Sequence, residues 1–380
     1  MQNPMRIAID ARPALWPRTG IGTITHQVLK NIRHEAPDAH IVAYFDADPG
    51  ELSHEYPSIE MAFGGPHQEL MWSNTWLPRR LAYDEIDVYV TFVDKELPLM
   101  RTRSRIVCMI HDLIPLRLPE EVFRNAAHRV YYESMIRAAA RRADLILTNS
   151  RFSKNEIVSS LDVHEAKVQV IPLGVGLPAE ISPEQQAHAL RRLGLARPYV
   201  LALGSTEPRK NVRRAIEAMQ VLAPVNPDLR LAIAGAPWRG LQFDRALLSD
   251  RISVLGHVSD ADLSVLMSQA EMLVFPSLHE GFGLPVIEAM AHGTPVVTSD
   301  LSAIPEVAGD AVLYADAENP ADIAAQIFAV LSDSRLRMQL HRAGLARAAS
   351  YRWSSTCAEI VGACTRLMEQ SNELREAMAS

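Results

Sequence analysis

The sequence predicts an α/β protein of two doubly wound, parallel-sheet domains, and three observations lead there. Short β-branched runs alternate with longer helical patterns along almost the whole chain, the signature of βαβ units. At 380 residues the chain exceeds what one hydrophobic core usually supports. Composition shifts once, at Leu173–Pro198, where Gly174, Gly176, Pro178 and Pro183 precede a polar helical patch. The expected organisation is residues 1–175, residues 176–350 and a tail from 351 to 380 that reads as one helix. Such halves are expected to face each other across a cleft, with ligands outside the carboxyl ends of the strands.

In the first half, strands are expected near 5–10, 40–45, 87–92, 105–110, 144–148 and 168–172. Helical periodicity fits 23–35, 126–142 and 151–161. In the second half the strand-like runs are 199–203, 230–234, 253–255, 272–275 and 295–298. Helices fit 212–222, 260–268, 285–291, 304–307 and 321–331.

Composition excludes several classes. With 48% apolar and 22% charged residues the chain is that of a globular protein, and no run reaches the length of a membrane span. A net charge of −7 argues against a dedicated nucleic-acid binder. Cys108, Cys357 and Cys364 form no metal-spaced cluster and read as reduced thiols. With no signal-peptide core near the N-terminus, a cytoplasmic location is expected.

The most informative stretch is Glu280-Gly281-Phe282-Gly283-Leu284-Pro285-Val286-Ile287-Glu288. Glycines before a helix leave backbone N–H groups open beside a positive helix end, which suits a phosphate. The flanking acids can accept hydroxyls on either side, and a nucleotide sugar has that layout. At the end of the second domain's first strand stands Gly204-Ser205-Thr206-Glu207-Pro208-Arg209-Lys210-Asn211, whose adjacent cations suit a diphosphate. Arg18-Thr19-Gly20-Ile21-Gly22-Thr23 is a glycine turn between the first strand and helix. Position 25 is Thr, so the dinucleotide fingerprint fails and a nicotinamide enzyme is disfavoured. His111-Asp112 follows a strand-like run, placing an imidazole where it can bond a sugar hydroxyl or stabilise charge, with Asp112 bracing the loop. Asp260-Ala261-Asp262 resembles a metal motif but follows Ser259, so it reads as a helix cap.

A basic surface is expected between Arg101 and Lys154, where eleven Lys/Arg oppose five acids for a local net charge of +6. With Trp72, Trp76, Arg79 and Arg80 it suggests contact with anionic lipid on the inner face of a membrane.

Taken together these residues resemble retaining glycosyltransferases of the GT-B fold, family 4. Glu280 and Glu288 match the Glu-x7-Glu motif. Gly281–Pro285, Gly293–Val297, Glu207–Asn211, Thr19–Gly22 and His111-Asp112 match further blocks, so the likeness spans nearly the whole chain. Closest in character are bacterial mannosyltransferases that build O-antigen or exopolysaccharide on polyprenyl diphosphate. The resemblance implies an N-terminal acceptor domain, a C-terminal donor domain and a tail helix returning to the first. It implies Lys210 and Arg209 on the donor diphosphate, Glu288 on the ribose and Glu280 on the donor sugar. Backbone N–H groups of Phe282, Gly283 and Leu284, beside Gly281, would meet phosphate or sugar. His111 would lie near the reacting centre, Gly20 and Gly22 over the phosphates, and Val258 beside the base. Many members carry Gly-Arg at Gly204-Ser205. Here Ser205 interrupts that pair, leaving Arg209 or Arg18 to supply the second charge.

The function so implied is transfer of α-mannose from GDP-mannose, without a metal or other cofactor, onto a lipid-linked saccharide acceptor. A UDP-sugar donor, a sugar-nucleotide hydrolase or epimerase, and a non-catalytic nucleotide-sugar-binding partner are the alternatives.

Overall fold

The computed structural model describes residues 4–16, 20–95, 97–176, 178, 181–204, 206–237, 242–244 and 247–379. They form two compact units, Met1–Gly174 with Arg352–Ser380, and Val175–Tyr351.

The first unit is built on β1 (Arg6–Asp10), β2 (His40–Phe45), β3 (Glu60–Phe63), β4 (Val88–Thr91), β5 (Arg105–Met109), β6 (Leu145–Thr148) and β7 (Val168–Val170). Their order is β3-β2-β1-β4-β5-β6-β7, and β1 pairs in parallel with both β2 and β4, Ile7 opposite Ile41 and Val88. The second unit holds β8 (Tyr199–Leu203), β9 (Arg230–Ala234), β10 (Ile252–Gly256), β11 (Met272–Phe275), β12 (Val296–Thr298) and β13 (Leu313–Tyr314), in the order β10-β9-β8-β11-β12-β13. In each sheet the strand order reverses once, at β1/β4 and at β8/β11. Neighbouring loops diverge there and leave a crevice at the carboxyl ends.

Helices cover both faces, so central strands such as Tyr-Val-Leu-Ala-Leu of β8 are apolar throughout and buried. Helix starts follow local chemistry. Asn125 accepts from His128 N at 2.9 Å to open Ala126–Arg142, and Ser150 accepts from Ser153 N at 3.0 Å to open Arg151–Leu161. Ser259 accepts from Asp262 N at 3.1 Å, so Asp260-Ala261-Asp262 is the start of a capped helix. The terminal helix Trp353–Ala379 packs on Gly20–Glu35 of the first unit, and Thr356 donates to Pro172 O at 2.8 Å. Gly174 is required where that helix begins: a Cβ there would stand 2.3 Å from Trp353 N.

The sequence reading leaves out several elements, among them two strands, a long helix and the short helices Glu69–Met71, Leu77–Tyr83, Ile114–Arg117 and Pro119–Val122. β3 and β13 are edge strands without a β-branched run, one of them two residues long, so their pattern is too weak to read. Ser334–Ala348 is a helix whose Gly344 lowers its helical signal; a Cβ there would meet Met290 Cγ at 3.4 Å, an ordinary contact. The expectation of an interfacial Trp72 is wrong. Trp72 is fully buried, its ring stacked on Trp76 at 5.2 Å and on the Arg12 guanidinium at 4.1 Å, because a π-helical turn at Trp72–Trp76 rotates it inward.

Candidate active site

Three residues from two neighbouring strand ends meet at the β8/β11 reversal. The chain leaves β8 at Gly204, whose φ of +132° turns the backbone so that Lys210 passes over it. A short 3-10 turn, Pro208–Lys210, ends in left-handed Asn211, whose amide donates to Pro276 O at 3.0 Å and Ala317 O at 2.7 Å. Leu278 N returns a bond to Arg209 O at 2.7 Å. These bonds lock the β8 loop against the β11 loop.

Glu280 is the focus. Its Oε1 accepts from Lys210 Nζ at 2.7 Å, Arg209 Nη1 at 3.1 Å and Ser277 Oγ at 2.7 Å. Among the described residues no donor reaches its Oε2. Burial alone would raise this carboxyl, but the charges of Lys210 and Arg209 and the bonds from Lys210 and Ser277 hold it below the ordinary carboxylate value. Glu280 N donates to Ser302 Oγ at 2.9 Å, fixing the loop from the β12 side. Arg209 also pairs with Glu207 at 2.6 Å, and Lys210 Nζ lies 4.9 Å from the Phe275 ring centre.

Glu288 sits one helical turn inside Leu284–Ala291. No side-chain hydrogen bond holds it among the described residues, and burial pushes its carboxyl up to about 7 against a smaller pull from Lys210. That helix starts at Gly283, which has a φ of +96°. Pro285 has no N–H and Val286 N donates to Gly283 O at 2.9 Å, so it is the N–H groups of Phe282, Gly283 and Leu284 that find no acceptor among the described residues and stay available to an anion. Gly281 and Phe282 are buried beside them, the Phe282 ring edge-on to Tyr351 at 5.7 Å. Val258, in the loop after β10, is half-buried two strands away from β8. The structure thus brings Arg209, Lys210, Glu280 and the Gly281–Leu284 turn together, with Glu288 beside them. Ser205 and Arg18 lie outside the described residues.

His111 and the Gly20–Gly22 segment belong to the first unit. His111 Nε2 lies 3.0 Å from Phe92 O, so the ring donates there and its other nitrogen is an acceptor. That Nδ1 is buried without a partner, and burial lowers the ring's basicity, partly offset by Asp94 and the Phe92 carbonyl. A neutral imidazole with an open lone pair accepts a hydroxyl; it does not stabilise negative charge as a cation. Asp112 Oδ1 accepts from Ile114 N at 3.0 Å and braces this loop. Gly20 and Gly22 do not form a turn ahead of the helix, because Gly20–Glu35 already includes both.

Two serines were invisible to sequence reasoning. Ser277 and Ser302 carry no charge and stand in no recognised block, yet both bind Glu280. Ser277's place three residues before the acid, in the same strand-end loop, is the signal that could have found it. Among the described residues no three His, Cys, Asp or Glu side chains are grouped to hold a metal ion. No described helix is long and apolar enough to cross a membrane.

Comparisons with known proteins show the fold and the family. HepE of Anabaena in complex with UDP-glucose superposes with a TM-score of 0.75 at 19% identity, over 95% of this chain and 100% of that one. WaaG, a glycosyltransferase involved in lipopolysaccharide biosynthesis, gives 0.67 at 17% identity, over 94% and 99%. The fold is that of the GT-B glycosyltransferases. Residues 18–177 match the family described as Glycosyltransferase Family 4, and residues 186–347 the one described as Glycosyl transferases group 1. The O-antigen chain mannosyltransferase B of Escherichia coli is 30% identical over 94% of this chain and 99% of its own length. The serotype-specific mannosyltransferase WbdA of Escherichia coli is 29% identical over 73% of this chain, which spans 35% of that longer protein. The chain belongs to glycosyltransferase family 4 and is a glycosyltransferase.

Proposed function

We propose that the protein transfers α-mannose from GDP-mannose, with retention, onto a lipid-linked saccharide of a cell-surface polysaccharide. The observation that carries this reading is the Glu280 carboxylate, held ionised through one oxygen by Lys210, Arg209 and Ser277 while its other oxygen stays open. Mannose as the sugar is supported by the mannosyltransferases among its relatives.

In this reading Arg209 and Lys210 receive the donor diphosphate, and the N–H groups of Phe282, Gly283 and Leu284 meet its distal phosphate or the sugar. Glu280 Oε2 accepts a hydroxyl of the donor sugar, Glu288 the ribose, and Val258 lies by the base. His111 Nδ1 accepts a sugar hydroxyl. As the anomeric carbon–oxygen bond breaks, negative charge grows on the leaving GDP, and cations already in place stabilise it most in the transition state. The acceptor oxygen bonds to the anomeric carbon on the same face, and its proton passes to the leaving phosphate oxygen. Arg209 and Lys210 supply the positive charge, so the reaction is proposed to need no metal ion.

The test is turnover and thermal shift of the purified chain with GDP-mannose, UDP-glucose, UDP-N-acetylglucosamine and UDP-galactose, with and without EDTA. Stabilisation and acceptor-dependent turnover with GDP-mannose alone support the reading. Turnover confined to a UDP-sugar replaces the donor assignment, and donor consumption without an acceptor identifies a hydrolase or epimerase.

A further inference from the structure

Three hydrogen-bond acceptors stand in a row at the carboxyl end of the first sheet. Thr91, Cys108 and Ile146 are register partners across β4, β5 and β6. Three residues beyond each of them stand Asp94, His111 and Asn149, where a parallel sheet takes its ligands.

The loop after β4 is fixed before it reaches Asp94. Val93 N donates to Thr91 Oγ1 at 3.1 Å, Cys108 Sγ donates to Val93 O at 3.5 Å, and the His111 ring holds Phe92 O. Asp94 Oδ2 then accepts from Tyr132 OH at 3.0 Å, and that buried phenol packs on Phe123 with ring centres 5.4 Å apart. Burial lowers the basicity of His111 and raises the Cys108 thiol, and on both groups the charge of Asp94 is the next largest influence. The carboxylate therefore lies close to the imidazole.

Each of the three residues keeps an acceptor atom open. Among the described residues no donor reaches Asp94 Oδ1. His111 Nδ1 and Asn149 Oδ1 are buried without a partner, and Asn149 is only 4% exposed. Buried polar atoms are ordinarily hydrogen-bonded, so these acceptors call for donors from outside the fold.

The row also selects the chemistry of the ligand. A phosphate brings further acceptor oxygens and a negative charge, which Asp94 repels. A sugar brings a run of hydroxyls, each able to donate. The nearest cation, Lys95, does not cancel the carboxylate: its Nζ lies 5.5 Å from the centre of the Tyr132 ring, and it makes no ion pair among the described residues.

We propose that Asp94 and Asn149, beside His111, bind hydroxyls of an uncharged acceptor saccharide, and that Asp94 turns away phosphorylated sugars. This rests on the reading of the chain as a transferase with a saccharide acceptor, and narrows it to acceptors whose terminal sugar is neutral. The test is ligand-observed NMR on the full chain, with and without GDP. The probes are methyl α-mannoside, methyl α-glucoside and N-acetylglucosamine, beside mannose 6-phosphate and glucose 6-phosphate. Wild type should bind at least one neutral sugar more tightly than either phosphate. Asp94→Asn, which keeps the size and can still accept from Tyr132, should weaken that Kd about tenfold, as for a lost bond to a charged group. Asn149→Ala should weaken it about fivefold, as for a neutral bond. In both variants the thermal shift given by the nucleotide sugar that stabilises wild type should be unchanged. A neutral sugar bound as tightly by Asp94→Asn as by wild type overturns the proposal. So does a wild-type preference for a sugar phosphate, no binding of any neutral sugar, or loss of the nucleotide-sugar shift in Asp94→Asn. A donor other than GDP-mannose would change the reading above and leave these outcomes as they stand.

Discussion

At the β1/β4 reversal of the first sheet, Arg12 reaches back to Asp10 through Nε at 2.9 Å and Nη2 at 2.8 Å. At the β8/β11 reversal of the second, Lys210 and Arg209 reach across to Glu280. Topology and position match, but the two clusters are finished differently. Thr91 adds a bond to Asp10 at 3.0 Å, Trp72 covers the guanidinium, and the side chains are 2% and 0% exposed. In the second unit two cations face one glutamate oxygen and keep 17% and 14% of their surface. A parallel sheet thus supplies the same crevice twice. Whether it stays scaffold or is free to meet a ligand depends on whether the cluster is covered or left open.

Removing one partner of the covered pair should have the largest effect. Arg12→Ala leaves Asp10 buried without its guanidinium, and breaking such a pair costs about 3–5 kcal/mol. Denaturant unfolding should show that loss, while nucleotide-sugar affinity in the surviving folded protein stays near wild type. Lost donor affinity at unchanged stability would mean that Asp10 and Arg12 belong to the chemistry. The open cluster should respond in reverse. Lys210→Ala is expected to lower kcat/KM by about 10²–10³, with a smaller stability loss because Arg209 and Ser277 still hold Glu280. Near-normal turnover would remove the diphosphate assignment.

Much of this contrast was legible in the sequence, but only where it was written in charge or glycine. Glu280, Arg209, Lys210 and the Gly281–Gly283 turn stand out because cations and a phosphate-sized turn recur at strand ends. The buried central strands were readable because both faces are covered and every position is apolar. Asp10 and Arg12 were not, since a lone acid and arginine after a strand look the same whether sealed or open. Their state is decided by Trp72, sixty residues on, and its inward rotation depends on a π-helical turn that no periodicity announces. β3 and β13 were hidden for another reason: neither carries a β-branched residue, and β13 is only two residues long.

Glu288 offers a finer probe of the open site. Its carboxyl is raised to about 7, so folding favours the protonated form. The stability this contributes is full below the ordinary carboxylate value and is lost as pH rises through about 7. Glu288→Gln should therefore match wild type near pH 4 and exceed it by about 3 kcal/mol near pH 8. If the carboxylate binds ribose, wild-type donor KM should improve as pH rises through 7, and the variant should lose that dependence. A flat wild-type profile would separate Glu288 from the donor.

The smallest effect tests how finely the open cluster is poised. Ser277 Oγ lies 2.7 Å from Glu280 Oε1 and 3.1 Å from Arg209 O, so its single proton belongs with the carboxylate. Ser277→Ala takes away one of three donors to that oxygen, worth about 1 kcal/mol, or roughly fivefold in kcat/KM. Packing loss alone could lower activity by as much, and the pH profile separates the two. With one stabilising bond gone, the Glu280 carboxyl should titrate at higher pH, moving the acid limb of kcat/KM upward while the alkaline limb stays fixed. An unmoved acid limb would assign Ser277 to packing and leave the ionisation of Glu280 to Lys210 and Arg209 alone.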